Sequence, residues 1–165
     1  MTSRVTPAQT IGPFFHGALC RPGEECLAKR GSPGALELTG RVHDGAGAPV
    51  TDALLELWQS DGVASAFGRA ATGGDGGFRF VVRKLAARPP EAPHLSVSVF
   101  ARGLLHRLVT RIYFPDEAAA NARDPLLSSL EPARRARLVA RADGAGALRS
   151  DVVLQGDGET PFLDV

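Results

Sequence analysis

The 165-residue chain is poor in cysteine, has a single tyrosine and contains no long apolar run. Only Cys20 and Cys26 occur, separated by five residues in a polar stretch. That spacing is neither a disulfide framework nor a metal knuckle. The expectation is two ordinary thiols and a cytoplasmic home, where disulfides rarely persist. No stretch approaches the roughly 18 consecutive apolar residues of a transmembrane helix. Residues 1–9 show no charged region followed by an apolar core, so no secretory leader is expected. An excess of one charge is missing too: 19 Lys and Arg stand against 18 Asp and Glu, a formal net charge of +1. Such a chain has no field that gathers nucleic acid or an anionic membrane. Its densest basic group, Arg134, Arg135, Arg137 and Arg141, is interspersed with Ala, Leu and Val and reads as the wet face of a helix. No G-x-S-x-G elbow is present. The four histidines, His16, His43, His94 and His106, form no pair at a helical or H-x-H spacing.

What is there is punctuation. Nineteen glycines and twelve prolines cut the chain into short pieces. The apolar pieces alternate with period two, the mark of half-buried strands. Strands are predicted over 36–42, 53–59, 78–84, 94–100, 108–114 and 152–155. Asp44-Gly45 and Gly47-Ala48-Pro49 make a turn, as does Gly73-Gly74-Asp75-Gly76-Gly77. The second of these precedes a strand rather than a helix, which makes it a poor phosphate cradle. Helices are predicted over 115–123, with Asp116 and Glu117 early, and over 131–141, with Pro132 in its first turn. Short strands with regularly spaced turns argue for an all-β antiparallel sandwich carrying one or two short helices. Residues 1–33 have little periodicity and read as an extended N-terminal arm. Residues 34–165 read as the sandwich domain. Taken by themselves, these residues show a small β domain without a convincing active site.

Three blocks resemble the intradiol ring-cleaving dioxygenases. The first is Thr6-Pro7-Ala8-Gln9-Thr10-Ile11-Gly12-Pro13-Phe14-Phe15. The second runs from Gly40-Arg41-Val42-His43-Asp44-Gly45 to Leu55-Glu56-Leu57-Trp58-Gln59-Ser60-Asp61. The third is Ala92-Pro93-His94-Leu95-Ser96-Val97-Ser98-Val99-Phe100-Ala101-Arg102-Gly103, continuing to Arg111-Ile112-Tyr113-Phe114-Pro115. The closing Gln155-Gly156-Asp157-Gly158-Glu159-Thr160-Pro161-Phe162 adds to it.

The resemblance implies a sandwich of the intradiol type and a metal site made by two tyrosinates and two histidines on Fe(III). Phenolate oxygen suits that hard ion. This chain departs from the pattern. Its only tyrosine is Tyr113, and Ser96 stands where the second histidine of the Pro93-His94-Leu95-Ser96 stretch belongs. A single tyrosine cannot supply two tyrosinates. The resemblance therefore points to the two-chain members of the family, in which a metal-free α subunit completes the pocket of an iron-bearing β subunit. That implies a hetero-oligomer acting on 3,4-dihydroxybenzoate and O2 to give 3-carboxy-cis,cis-muconate. It implies no cofactor and no catalytic residue in this chain, with Fe(III) in the β partner. Residues 1–33 are then expected to pack on that partner. By the same resemblance, Thr10, Gly12 and Pro13 lie beside the substrate ring and Arg102 lies near its carboxylate. Gly permits close backbone approach, Pro stiffens a loop, and a guanidinium binds a carboxylate bidentately.

Two other readings compete. A free-standing transthyretin-like β-sandwich binding module predicts a stable monomer, but leaves the first block and the closing segment unexplained. A self-sufficient iron enzyme needs more tyrosine than the chain has.

Overall fold

A computed structural model describes residues 7–12 and 14–164. Among them lie α1 (Phe15–Leu19), β1 (Ala35–His43), β2 (Leu54–Ser60), β3 (Ser65–Ala71), β4 (Gly77–Arg83), β5 (His94–Phe100) and β6 (Leu108–Tyr113). After these come α2 (Ala118–Asn121), α3 (Pro125–Ser129), α4 (Pro132–Ala136), β7 (Arg141–Ala142), β8 (Ala147–Arg149) and β9 (Val152–Val153). One sheet has the order β3-β2-β5-β6. The other has the order β4-β1-β8-β7, with β9 also on β1.

The period-two pattern builds the core. In β5, Leu95, Val97 and Val99 point inward and are fully buried, while Ser96 and Ser98 point out. Leu55 and Leu57 of β2 lie behind the same sheet. Leu38 and Val42 of β1 and Phe80 and Val82 of β4 meet them from the opposite sheet. Full burial of each such side chain contributes roughly 1.5–3 kcal/mol. Gly40 sits at the middle of β1 because nothing larger fits: a Cβ there would lie 1.9 Å from the Ser150 carbonyl oxygen and 2.5 Å from the Phe78 ring.

The structure adds to the sequence reading in three places. β8 and β9 run parallel to β1, where a purely antiparallel sandwich was predicted. The long excursion between β1 and β8 provides the crossover that parallel pairing requires. β3 was not predicted, because Ser65-Ala66-Phe67-Gly68-Arg69-Ala70-Ala71 is made mostly of small residues with weak strand preference. Gly68 there admits the 24–28 segment: a Cβ would lie 2.4 Å from Leu27 Cδ1 and 2.6 Å from the Glu24 carbonyl oxygen. That segment hydrogen-bonds to both sheets, through Arg69 N–H to Glu24 O at 2.9 Å and Leu27 N–H to Val81 O at 2.8 Å. Third, the one or two helices predicted are four short ones among the described residues. The expected helix over 131–141 stops at Ala136, and Arg141 belongs to β7.

A second, smaller core lies on the outward side of β6. Tyr113 packs there with Ala92, Leu127 and Leu138 beneath α3. Among the described residues no helix is long and apolar enough to cross a membrane.

Candidate functional site

β5 carries a candidate feature at each end, roughly 20 Å apart at about 3.4 Å per strand residue. Arg102 is at its C-terminal end. After Phe100 the chain turns, with Leu104 N–H on Ala101 O at 3.2 Å and Gly103 at φ +90°. The turn throws Arg102 outward. Its Nε donates to the carboxylate of Asp52, and the side chain is otherwise 65% exposed.

Thr10 is fastened to this same turn. Its Oγ1 accepts the Gly103 N–H at 2.8 Å and lies 3.5 Å from the Ala101 carbonyl oxygen. Gly12 is exposed, and its carbonyl accepts the Phe15 N–H at 3.2 Å, which starts α1. Phe15 then lays its ring against Phe100, with centroids 5.5 Å apart. The structure thus brings Thr10, Gly12 and Arg102 to one end of β5. Pro13 lies outside the described residues. An open groove of about 610 Å³ runs beside Arg102, bordered by Asp52, Gly103, Leu104 and Gln155.

The N-terminal end of β5 holds His94, and its polar groups are tightly engaged. Tyr113 is the cross-strand partner of His94, with ring centroids 5.5 Å apart. The Tyr113 hydroxyl donates to Asp124 Oδ1 at 3.1 Å. Asp124 is fully buried and also accepts the N–H groups of Ala92 at 2.9 Å and Leu127 at 3.0 Å. Arg111 donates to Glu91 at 2.7 Å and to the Tyr113 oxygen at 3.3 Å. Burial above all holds the Tyr113 hydroxyl far above the usual tyrosine range. Burial also pushes the His94 imidazole down, opposed by its bond to the Ala92 carbonyl, with the Arg111 charge lowering it further. Asp124 escaped the sequence reading, although Asp124-Pro125 is a legible helix start: a capping carboxylate followed by proline at the first helical position.

No protein-family model matches the chain. The protocatechuate 3,4-dioxygenase alpha chain of Pseudomonas putida is 40% identical to it, with 96% of each chain covered. The chain belongs to the protocatechuate 3,4-dioxygenase alpha-chain family. The beta chain of that enzyme from Burkholderia cepacia is a more distant relative, 30% identical over 94% of this chain and 77% of its own length. Among solved structures, the dioxygenase domain of a carbohydrate-binding fusion protein from Streptomyces sp. SirexAA-E covers 92% of this chain and 99% of its own. It shares 28% identity at a TM-score of 0.64. An intradiol ring-cleavage dioxygenase from Tetranychus urticae, 13% identical, reaches 0.63 over 82% of this chain and 89% of its own, which shows the fold alone.

The fold is therefore that of the intradiol dioxygenases, as the resemblance implied. This alpha-type chain does not have residues that fit their metal at the His94 end. His94 Nδ1 is 2.9 Å from the Ala92 carbonyl oxygen, which leaves Nε2 as the single ring donor atom for a metal. Ser96 is a weak ligand, and the Tyr113 hydroxyl is buried and committed to Asp124. The Arg111 guanidinium faces Ser96 across the strand pair and repels a cation. Among the described residues no group of three or more His, Cys, Asp or Glu is placed to hold a metal ion.

Proposed function

We propose that the chain is the non-catalytic alpha subunit of a protocatechuate 3,4-dioxygenase. In this reading a beta subunit holds Fe(III) and opens 3,4-dihydroxybenzoate with O2 to 3-carboxy-cis,cis-muconate in the cytoplasm. The observation that carries it is near-full-length identity to alpha chains, in a fold whose sole tyrosine hydroxyl is locked onto a buried aspartate. The chain's part is to complete the partner's pocket. Thr10, Gly12 and Pro13 form the wall beside the substrate ring, and Arg102 attracts its carboxylate. Two features support that assignment. Thr10 is hydrogen-bonded to the backbone on both sides of Arg102, which ties the arm to the arginine. The Arg102 Nη atoms make no hydrogen bond among the described residues, so one edge of the guanidinium stays open for a carboxylate. Residues 1–33 pack on the partner.

The test is co-expression. The chain expressed alone should be colourless, iron-free and inactive. Co-purified with a beta chain, it should give a red-brown complex that cleaves protocatechuate. Stoichiometric iron with a tyrosinate absorption band in the chain alone would end the subunit reading.

A further inference from the structure

Arg102 is held twice, once by its backbone and once by its side chain. Thr10 holds the backbone, through Ala101 and Gly103 on either side. Asp52 holds the side chain: it accepts from Nε and is the one ion-pair partner of Arg102 among the described residues. The β2–β5 ladder brings the two together. Leu54 pairs with Phe100, and two residues further along the same antiparallel register Asp52 stands opposite Arg102. The period of two puts both on the face where Phe15 meets Phe100.

Asp52 is itself firmly set. The next residue, Ala53, is fully buried and is fastened to Thr72. Its N–H donates to Thr72 Oγ1 at 2.9 Å, and its carbonyl accepts the Thr72 N–H at 2.9 Å. The Asp52 side chain is 19% exposed, against 65% for Arg102. A fixed carboxylate thus grips a long, exposed guanidinium.

Stability does not explain this pair. An exposed ion pair contributes little to folding. A carboxylate beside Arg102 also weakens its pull on any other anion. What the pair supplies is geometry. An arginine on an exposed turn has many rotamers to lose when it binds. With Nε engaged, the guanidinium plane is set, and the Nη1–Nη2 edge is left for a second carboxylate.

We infer that Asp52 is a positioning residue: it presents the Nη edge of Arg102 to the substrate carboxylate, so that the assembled enzyme favours acids over uncharged analogues. The inference rests on the place given to Arg102 in the subunit reading.

The test uses the co-purified alpha–beta complex and two competitive inhibitors of one shape, 4-hydroxybenzoate and the uncharged 4-hydroxybenzamide. Asp52→Ala and Asp52→Leu remove both the charge and the acceptor, and Leu fills the vacated volume. Asp52→Asn removes the charge and keeps an acceptor for Nε. The Ki of 4-hydroxybenzoate should rise about fivefold in Asp52→Ala and Asp52→Leu, and should not rise in Asp52→Asn. The Ki of the amide should stay within about twofold in all three. In an Arg102→Ala background, Asp52→Ala should add nothing. An unchanged or lowered Ki for 4-hydroxybenzoate in Asp52→Ala, or an equal rise in Asp52→Asn, overturns the inference, because charge and not position would then decide. Equal rises for acid and amide overturn it as well, as general damage. An Arg102→Ala complex that binds 4-hydroxybenzoate like the parent refutes the placement of Arg102, and the role of Asp52 with it. Absence of a complex or of ring cleavage in the parent pair refutes the subunit reading instead.

Discussion

The two ends of β5 use the same kinds of residue in opposite ways. At the His94 end, one fully buried carboxylate, Asp124, gathers a phenol and two backbone N–H groups, and Arg111 closes the ring through Tyr113 and Glu91. At the Arg102 end the turn is exposed and the guanidinium leans on one carboxylate. Thr10 and Phe15 are held there by one hydroxyl and one aromatic contact. The difference separates two kinds of work. Buried, mutually satisfied polar groups fix a unique packing and are costly to disturb. Exposed groups with open donor edges cost little to rearrange and are available to another molecule. A subunit that has no metal chemistry of its own keeps the first kind for stability and presents the second kind outward.

The largest test of this contrast is Asp124→Ala. It strands the Tyr113 hydroxyl and two buried N–H groups, and each orphan costs roughly 1–3 kcal/mol. Urea unfolding should show a loss of about 3 kcal/mol or more. Arg102→Ala should change stability by about 0.5 kcal/mol or less, as surface replacements do. Equal losses would erase the distinction between the two ends. In the assembled enzyme the order reverses. Arg102→Ala should raise KM for protocatechuate about tenfold and leave kcat within about twofold, the mark of lost ground-state binding. An unchanged KM removes Arg102 from the pocket.

Much of this contrast could be read in the chain, and the unread part has physical causes. His94-Leu95-Ser96-Val97-Ser98-Val99-Phe100 alternates so cleanly that β5 occupies the very residues predicted. β3 stayed hidden because its place is fixed by the 24–28 segment lying over Gly68, a long-range contact without a local signal. The breakup of the predicted 131–141 helix was hidden in the same way. Leu138 is drawn into the small core, and Val139 bridges to Tyr113, so the chain leaves helical geometry early. Thr10 and Arg102 were placed by resemblance; only the structure shows that a hydrogen bond on Gly103 ties them together. The network around Asp124 was half legible, as a capping Asp-Pro pair. That the same carboxylate also takes the Tyr113 hydroxyl depends on how α3 folds back over β6.

The hold on Thr10 is a finer test. Thr10→Val removes the hydroxyl that accepts the Gly103 N–H and keeps the shape. An exposed hydrogen bond of this kind contributes about 1 kcal/mol. Hydrogen exchange at the Gly103 amide should speed up about fivefold, while the Asp124 end exchanges as before. No change at Gly103 would mean that the Phe15 contact with Phe100 holds this stretch of chain by itself.

The smallest effect is a pH dependence confined to one end. Burial is the main reason that the His94 pKa is depressed in the folded chain. The Ala92 carbonyl opposes that shift, Arg111 adds to it, and Glu91 and Asp124 oppose it. An unfolded histidine titrates near about 6.5. Below that pH the unfolded chain takes up a proton that folded His94 still refuses, so the unfolded state binds more protons and stability rises with pH. Stability is therefore lost as pH falls from about 6.5 towards the lower folded value, and is fully present above 6.5. His94→Gln removes this contribution, so the difference in unfolding free energy between the two proteins should vary with pH only in that window. Arg102→Ala, at the far end of β5, should leave the slope as it is. A slope that survives in His94→Gln assigns the acid sensitivity to another group and leaves His94 without a part in it.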